Sequence, residues 1–173
     1  MGIQLGPLLE TRQIKVEELS GQRVAIDGFN VLYQFLTSIR QADGSLLTDS
    51  EGRVTSHLSG ILFRFSKLVE NGLKLCIVFD GKPPALKKNL LEQRRQRKIK
   101  AQIEWEAAIE AGDIETARTK AQQTTRLDPN MITESKNLLD LLGIPWVDAP
   151  SEGEAQVASL LNQGMVDYGA SQD

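Results

Sequence analysis

Five acids occupy positions where a sheet could gather them. Asp27, Asp80 and Asp173 each close, or closely follow, a short apolar run of strand character, and Glu152 and Glu154 lie in Ala149-Pro150-Ser151-Glu152-Gly153-Glu154-Ala155, just after another such run. In an open, mainly parallel sheet, ligands collect outside the carboxyl ends of the strands, so carboxylates far apart in sequence can share one rim. Clustered carboxylates repel one another unless a positive charge sits among them. An oxygen-only donor set suits Mg²⁺ or Mn²⁺, and a chain with one His and one Cys has little to offer zinc. Two such ions ~3.5–4 Å apart can activate a water and stabilise the leaving oxygen of a phosphodiester. Each acid also has a structural alternative. Asp27 can cap the helix that begins near Asn30, Asp80 can be a turn residue before Gly81, and Ser151 with Glu154 fits an S-x-x-E capping box. A doubly wound sheet binding some other phosphate compound would carry a similar pattern.

A second concentration of charge has the opposite sign. Between Lys82 and Lys100 lie eight basic residues, Lys82, Lys87, Lys88, Arg94, Arg95, Arg97, Lys98 and Lys100, and one acid, Glu92. Lys87, Arg94 and Lys98, at i, i+7 and i+11, fall on one helical stripe. A helix of ~24 residues would reach roughly 36 Å, enough to stand away from the body. A solvated helix face is the plain alternative. Against it, a positive stripe repels itself unless a polyanion compensates. A phosphate backbone does so, with an affinity that falls steeply with salt. The segment begins two residues after Asp80, which makes it a handle for phosphate rooted beside a candidate metal ligand.

The elements that must position these residues alternate between short apolar runs and longer amphipathic stretches, the pattern of an α/β domain. Strands are expected over Arg23–Ile26, Leu75–Phe79, Ile144–Val147 and about Val166–Ala170. Pro145 should lie at a strand start or an edge. A helix carries Val31, Leu32, Phe35 and Ile39, a Gly-containing loop spans about Gln41–Gly52, and a second helix carries Leu58, Ile61, Leu62, Phe65, Leu68 and Val69 up to Gly72. A long charged helix is expected from Ala85 to about Ala111 and a shorter one from Ile114 to Arg126. Asp128-Pro129 opens a helix that stops at Gly143, and the last helix runs from Ser151 to Asn162.

The chain has 173 residues, enough for one domain with a core and too few for two large ones. Its net charge of −3 argues mildly against nucleic acid, but the basic segment outweighs the sum. Cys76 is the only cysteine, so no intrachain disulfide can form, which fits a reducing compartment; its apolar neighbours mark it as a small buried hydrophobe. No apolar run approaches the ~18 residues a membrane span needs, and the N-terminus lacks a signal-peptide core. Gly6 stands where a myristoylation motif wants Ser or Thr.

Several blocks together resemble the signatures of flap endonucleases. They are Met1-Gly2-Ile3-Gln4, Val24-Ala25-Ile26-Asp27, Tyr33-Gln34-Phe35-Leu36, Thr55-Ser56-His57-Leu58, Val78-Phe79-Asp80-Gly81-Lys82-Pro83-Pro84, Ala149 to Gln156, and Ala170-Ser171-Gln172-Asp173. Gln4-Leu5-Gly6-Pro7 and the stretch Gly112 to Arg126 look more like archaeal members than eukaryotic ones. The Gly-Lys-Pro-Pro after Asp80, and the short distance from Asp80 to Glu152, set the chain apart from the related exonucleases and excision-repair nucleases.

The resemblance implies a PIN-like α/β fold with a mainly parallel central sheet flanked by helices and a protruding basic helical arch at about 82–126, all within one nuclease domain over 1–173. It implies Asp27, Asp80, Glu152, Glu154 and Asp173 as ligands of two Mg²⁺ ions, for which Mn²⁺ can substitute. Lys87 and Arg94 match the arch residues that contact the scissile phosphate, and Lys88, Arg95 and Lys98 extend that DNA-binding stripe. Tyr33 matches an aromatic that stacks on a base, its alternative being core packing; Gly2 matches a glycine close to substrate; Arg40 and Thr55 fall in segments around duplex and 3′-flap contacts. His57 also matches a family position, where a structural hydrogen bond is expected.

The implied reaction is cleavage of 5′ flaps, with 5′–3′ exonuclease activity, in DNA replication, including Okazaki fragment processing, and in repair. Branched DNA is the implied partner, along with a sliding clamp bound through a far C-terminal segment. The implied location is the cytoplasm in an archaeon or the nucleus in a eukaryote. Family members continue past the position of Asp173 with further ligands and a duplex-gripping region. This chain alone is therefore expected to be weak or inactive, a DNA-binding portion of such an enzyme.

Overall fold

The computed structural model describes residues 11–82 and 88–171, without the side chains of 88–91, 94, 95, 118 and 123. A 3₁₀ turn (Val16–Leu19) leads into β1 (Arg23–Asp27), whose Val24, Ala25 and Ile26 are buried between helices on both faces. The helix α1 (Gly28–Ser38) starts directly at the strand end, and Gly28 makes this possible. A Cβ there would come within 2.9 Å of Ile77 and 3.1 Å of the Phe79 ring. A loop with two isolated bridges, Arg40 to Leu46 and Thr48 to Val54, fills the interval before the next helix.

That helix is built in three segments, α2 (Ser56–Gly60), a π-helical turn (Ile61–Phe65) and α3 (Ser66–Glu70). Of the apolar residues this helix carries, Ile61 and Phe65 are buried and Leu62 and Val69 are exposed. The widened π turn departs from the 3.6-residue period of an α-helix.

The sheet has four strands in the order β3-β2-β1-β4, and all its pairings are parallel. β2 (Lys74–Phe79) pairs with β1 so that Asp27 lies opposite Val78. β3 (Trp146–Asp148) begins two residues later than expected, because Pro145 lies ahead of it and contributes its carbonyl to the Ile77 amide at 2.9 Å. β3 is an edge strand, so Pro145 meets both expectations for it. β4 (Tyr168–Ala170) is also shorter than expected. It is held against β1 by Arg23, which donates to both Asp167 oxygens at 3.1 and 2.7 Å and keeps that carboxyl down at about 2.

The remaining helices are α4 (Lys88–Glu110), α5 (Ile114–Gln123), α6 (Pro129–Leu141) and α7 (Gly153–Asn162). Asp128 caps α6 through the Asn130 amide, as Asp128-Pro129 predicts. The charged α4 and α5 pack through small residues: Ala101 and Ala108 of one and Ala117 and Ala121 of the other are buried. A Glu104–Lys120 ion pair at 2.5 Å braces the hairpin. The main core joins Phe35, Phe65, Ile77, Phe79 and Leu139, and a smaller one on the other face joins Ala25, Val78, Ala149 and Leu160. Cys76 is half-buried rather than buried, and its surroundings push the thiol pKa up. Among the described residues, no helix is long and apolar enough to cross a membrane.

Candidate metal and nucleic-acid site

Asp27 is the last residue of β1 and the N-cap of α1; its Oδ1 accepts the Asn30 amide at 2.9 Å, and it is 7% exposed. The expected cap therefore forms. Asp80 follows β2 directly, and its Oδ1 accepts the Gly153 amide at 2.6 Å, so it caps α7 from a different part of the chain. The loops after β2 and β3 are tied together beneath it. Ala149 donates to the Phe79 carbonyl at 2.7 Å, and Gly81 donates to the Ser151 carbonyl at 2.5 Å. Gly81 has to be glycine, since a Cβ there would run into the Ala149 carbonyl.

This arrangement does not form the capping box that Ser151 and Glu154 offered as an alternative. The cap position of α7 is Glu152, with no side-chain cap bond, and the Ser151 hydroxyl instead donates to the Lys82 carbonyl at 3.4 Å. The structural alternative for Glu154 thus fails. Glu154 sits exposed in the first turn of α7, one residue beyond the amide that Asp80 holds.

β4 leads to the same rim. Asn30 donates to the Ser171 hydroxyl at 3.3 Å, and a recess of about 150 Å³ between them is lined by Asp27, Asn30, Gln34 and Ser171. Asn30 did not stand out in the sequence; its one signal is its place three residues after Asp27. Asp27, Asp80, Glu152 and Glu154 therefore share the carboxyl edge of the sheet. Among the described residues no three His, Cys, Asp or Glu side chains form a group that could hold a metal. Asp173 lies outside the described residues, as do Gly2 and Lys87. The candidate ligands at the rim are carboxylates, a donor set that fits a hard divalent cation.

The basic helix α4 carries Lys88, Arg94 and Arg95, whose side chains are not described, and Lys98. Lys98 places its Nζ 5.0 Å from the centre of the Tyr33 ring and 3.4 Å from the Tyr33 hydroxyl. Tyr33 is 36% exposed, so it is not a core residue. Thr55 precedes α2 and donates its amide to the Leu47 carbonyl at 2.7 Å. Arg40 is half-buried, and it points its guanidinium at protein acceptors: the carbonyls of Leu36 at 2.8 Å and Gly44 at 2.7 Å and the Thr125 hydroxyl at 2.6 Å. His57 is fully buried and makes the expected structural bond, from Nε2 to Glu134 at 3.0 Å.

A parallel sheet with acids at its carboxyl rim, followed by a basic helical hairpin, defines a 5′-nuclease-type fold. Residues 1–101 match the XPG N-terminal domain and 143–173 the XPG I-region, and the chain belongs to this family. Over all 173 residues it is 51% identical to Flap endonuclease 1 of Pyrococcus abyssi, covering 50% of that protein. It is 49% identical to the Archaeoglobus fulgidus protein of the same name, covering 51% of it. Among solved structures, flap endonuclease-1 from Methanococcus jannaschii superposes with a TM-score of 0.72 at 44% identity, over 99% of this chain and 55% of that one. The catalytic core of Rad2 in complex with DNA substrate gives a TM-score of 0.66 at 31% identity, over 94% of this chain and 42% of that one. The chain spans about half the length of the curated relatives it matches.

Proposed function

We propose that this chain carries the catalytic face of a structure-selective 5′ nuclease, which hydrolyses DNA phosphodiesters at 5′ flaps in replication and repair. One observation carries the reading: Asp27, Asp80 and the Glu152–Glu154 turn all lie at the carboxyl edge of the sheet, and the basic helix α4 comes next in the chain after Asp80. In this reading Asp27, Asp80, Glu152, Glu154 and Asp173 hold two Mg²⁺ ions, with Mn²⁺ able to substitute. Bound there, the ions would supply Lewis acidity and an activated water. Lys87 and Arg94 would neutralise charge on the phosphoryl group as it develops. Lys88, Arg95 and Lys98 would grip the backbone of the single strand, Tyr33 would stack on a base, and Gly2 and Thr55 would border the substrate. Asp27 and Asp80 each use Oδ1 to accept a backbone amide, which fixes the orientation of the carboxylate.

A second reading, a DNA-binding portion without catalysis of its own, is favoured by one observation. Among the described residues the rim carboxylates do not form a metal-holding group. The test is cleavage of 5′-flapped DNA with and without Mg²⁺, using this chain and a chain extended to its relatives' length. Mg²⁺-dependent incision at the junction by this chain supports the first reading. Incision by the longer chain alone, with flap binding retained by this one, supports the second. No incision by either chain overturns the nuclease reading.

A further inference from the structure

The turn that carries Glu152 and Glu154 hangs from β3, an edge strand of three residues. Two side chains of α6, four residues apart, grip that strand. Lys136 donates to Asp148 Oδ1 at 2.6 Å, and Asp140 Oδ1 accepts the Trp146 indole N–H at 2.8 Å. Residues i and i+4 of a helix share a face, as do i and i+2 of a strand, so the two contacts run in parallel. The Lys136 ammonium also lies 4.3 Å from the centre of the Trp146 ring and 5.1 Å from that of Phe79, within reach of a cation–π attraction to both. Its side chain is 21% exposed, low for a lysine. Asp148 ends its strand much as Asp27 and Asp80 follow theirs, but it faces the other layer. It stands opposite Phe79 of the main core, whereas Asp80, one residue further on, reaches across to α7. Ala149, next in the chain, donates to the Phe79 carbonyl at 2.7 Å. The turn is thus held at two places, at Gly153 by Asp80 and at Asp148 by Lys136.

We propose that Lys136 is a positioning residue: by holding Asp148 against α6 it fixes where the turn bearing Glu152 and Glu154 leaves the sheet. The role rests on the nuclease reading for its purpose, whereas the clasp itself rests on contacts alone. A lysine that serves solubility keeps its ammonium in water. Lys136 instead spends it on one carboxylate and two ring faces, all within reach of the strand end. An edge strand this short has one neighbour, β2, to hold it, so a side-chain clasp decides how far its last residue can drift. Drift there is passed directly to the two glutamates that follow within six residues.

The test uses Lys136→Met, which keeps the apolar stem and removes the charge, Lys136→Arg, which keeps the charge, and Asp148→Ala. Amide hydrogen exchange, read on this chain without metal or DNA, compares Ala149 and Gly153 in the turn with Asn30 and Lys74, whose amides are bonded elsewhere in the sheet layer. Exchange at Ala149 and Gly153 should quicken about tenfold in Lys136→Met and in Asp148→Ala, and no further in the double variant, while Asn30 and Lys74 keep the parent rates. Lys136→Arg should stay near the parent. Unchanged rates in the turn, additive effects in the double variant, or an equal rise at all four amides overturns the clasp; the last would make the pair a contributor to general stability. In a chain extended to its relatives' length, Lys136→Met should lower kcat about tenfold with little change in KM, and Lys136→Arg should restore it. An intact kcat in Lys136→Met overturns the positioning role. Absence of cleavage by the extended parent counts against the nuclease reading, and the exchange rates then decide the clasp by themselves.

Discussion

Asp80 accepts a 2.6 Å hydrogen bond from the backbone amide of Gly153, at the N-terminus of the helix that carries Glu154. A candidate metal ligand on one strand thus orients the helix bearing another. Asp27 does the same for α1 through Asn30. The two roles can be separated, because asparagine accepts a cap bond as well as aspartate does but lacks the charge. Asp80→Asn and Asp27→Asn should each keep the melting temperature within ~3 °C of the parent. Calorimetric titration with Mn²⁺ should show affinity lowered at least ~10-fold in each. If both variants bind the ion like the parent, these carboxylates are caps and nothing more.

Lys98 gives a test of whether α4 holds a polyanion. Its ammonium lies over the Tyr33 ring on the same helix that Asp27 caps. If α4 grips a phosphate backbone, Lys98→Gln should lower the slope of log affinity against log salt by ~1 for single-stranded and flapped DNA alike. An unchanged slope would mean that Lys98 serves only to rest the arch on Tyr33.

The acids at strand ends were legible because local apolar runs mark β1 and β2, and each ends at its acid within a residue. The same holds for α6, whose start is written in Asp128-Pro129 and whose stop is Gly143, with φ at +68°. What was not legible depends on partners distant in the chain. Ser151 and Glu154 have the spacing of a capping box, yet the Gly153 amide is taken by Asp80, 73 residues earlier, and the helix starts after Glu152. Arg40 falls in a segment that the resemblance gives to duplex and 3′-flap contacts, and its bond to Thr125 left no mark in the sequence because that acceptor lies beyond the entire arch. Which apolar residues of the helix through Phe65 face the core was not legible either, because a π turn leaves no mark in an apolar pattern.

Gly60 shows how tightly that helix is fitted against α1. A Cβ at Gly60 would fall within the ring of Phe35, which is 1% exposed and stacks edge-on against Phe65 at 5.7 Å. Neither ring has room to retreat. Gly60→Ala should destabilise the fold by ~1–3 kcal/mol, the usual cost of overpacking, although alanine is the better helix former. Urea unfolding measures this, and a variant as stable as the parent would mean that α2 can slide on α1.

His57 is the only histidine, so any loss of stability between neutral pH and about pH 5 should trace to it. It is fully buried. One ring nitrogen faces Glu134 at 3.0 Å, and the other, Nδ1, has no partner among the described residues. Protonation would place a second N–H where nothing accepts it, and burial accordingly pulls the His57 pKa down, against the smaller upward pull of Glu134. The folded pKa lies below the unfolded one, so the stabilisation is complete above about pH 6.5. It is lost as pH falls below that value, where the unfolded chain takes up a proton that the folded one refuses. The melting temperature should therefore fall from about pH 7 to about pH 5. Glu134→Gln removes the one neighbour that favours the charged ring, and it should make that fall steeper. A melting temperature that is flat or rises on acidification would show that the fold accepts the imidazolium, and that the Glu134 contact outweighs burial.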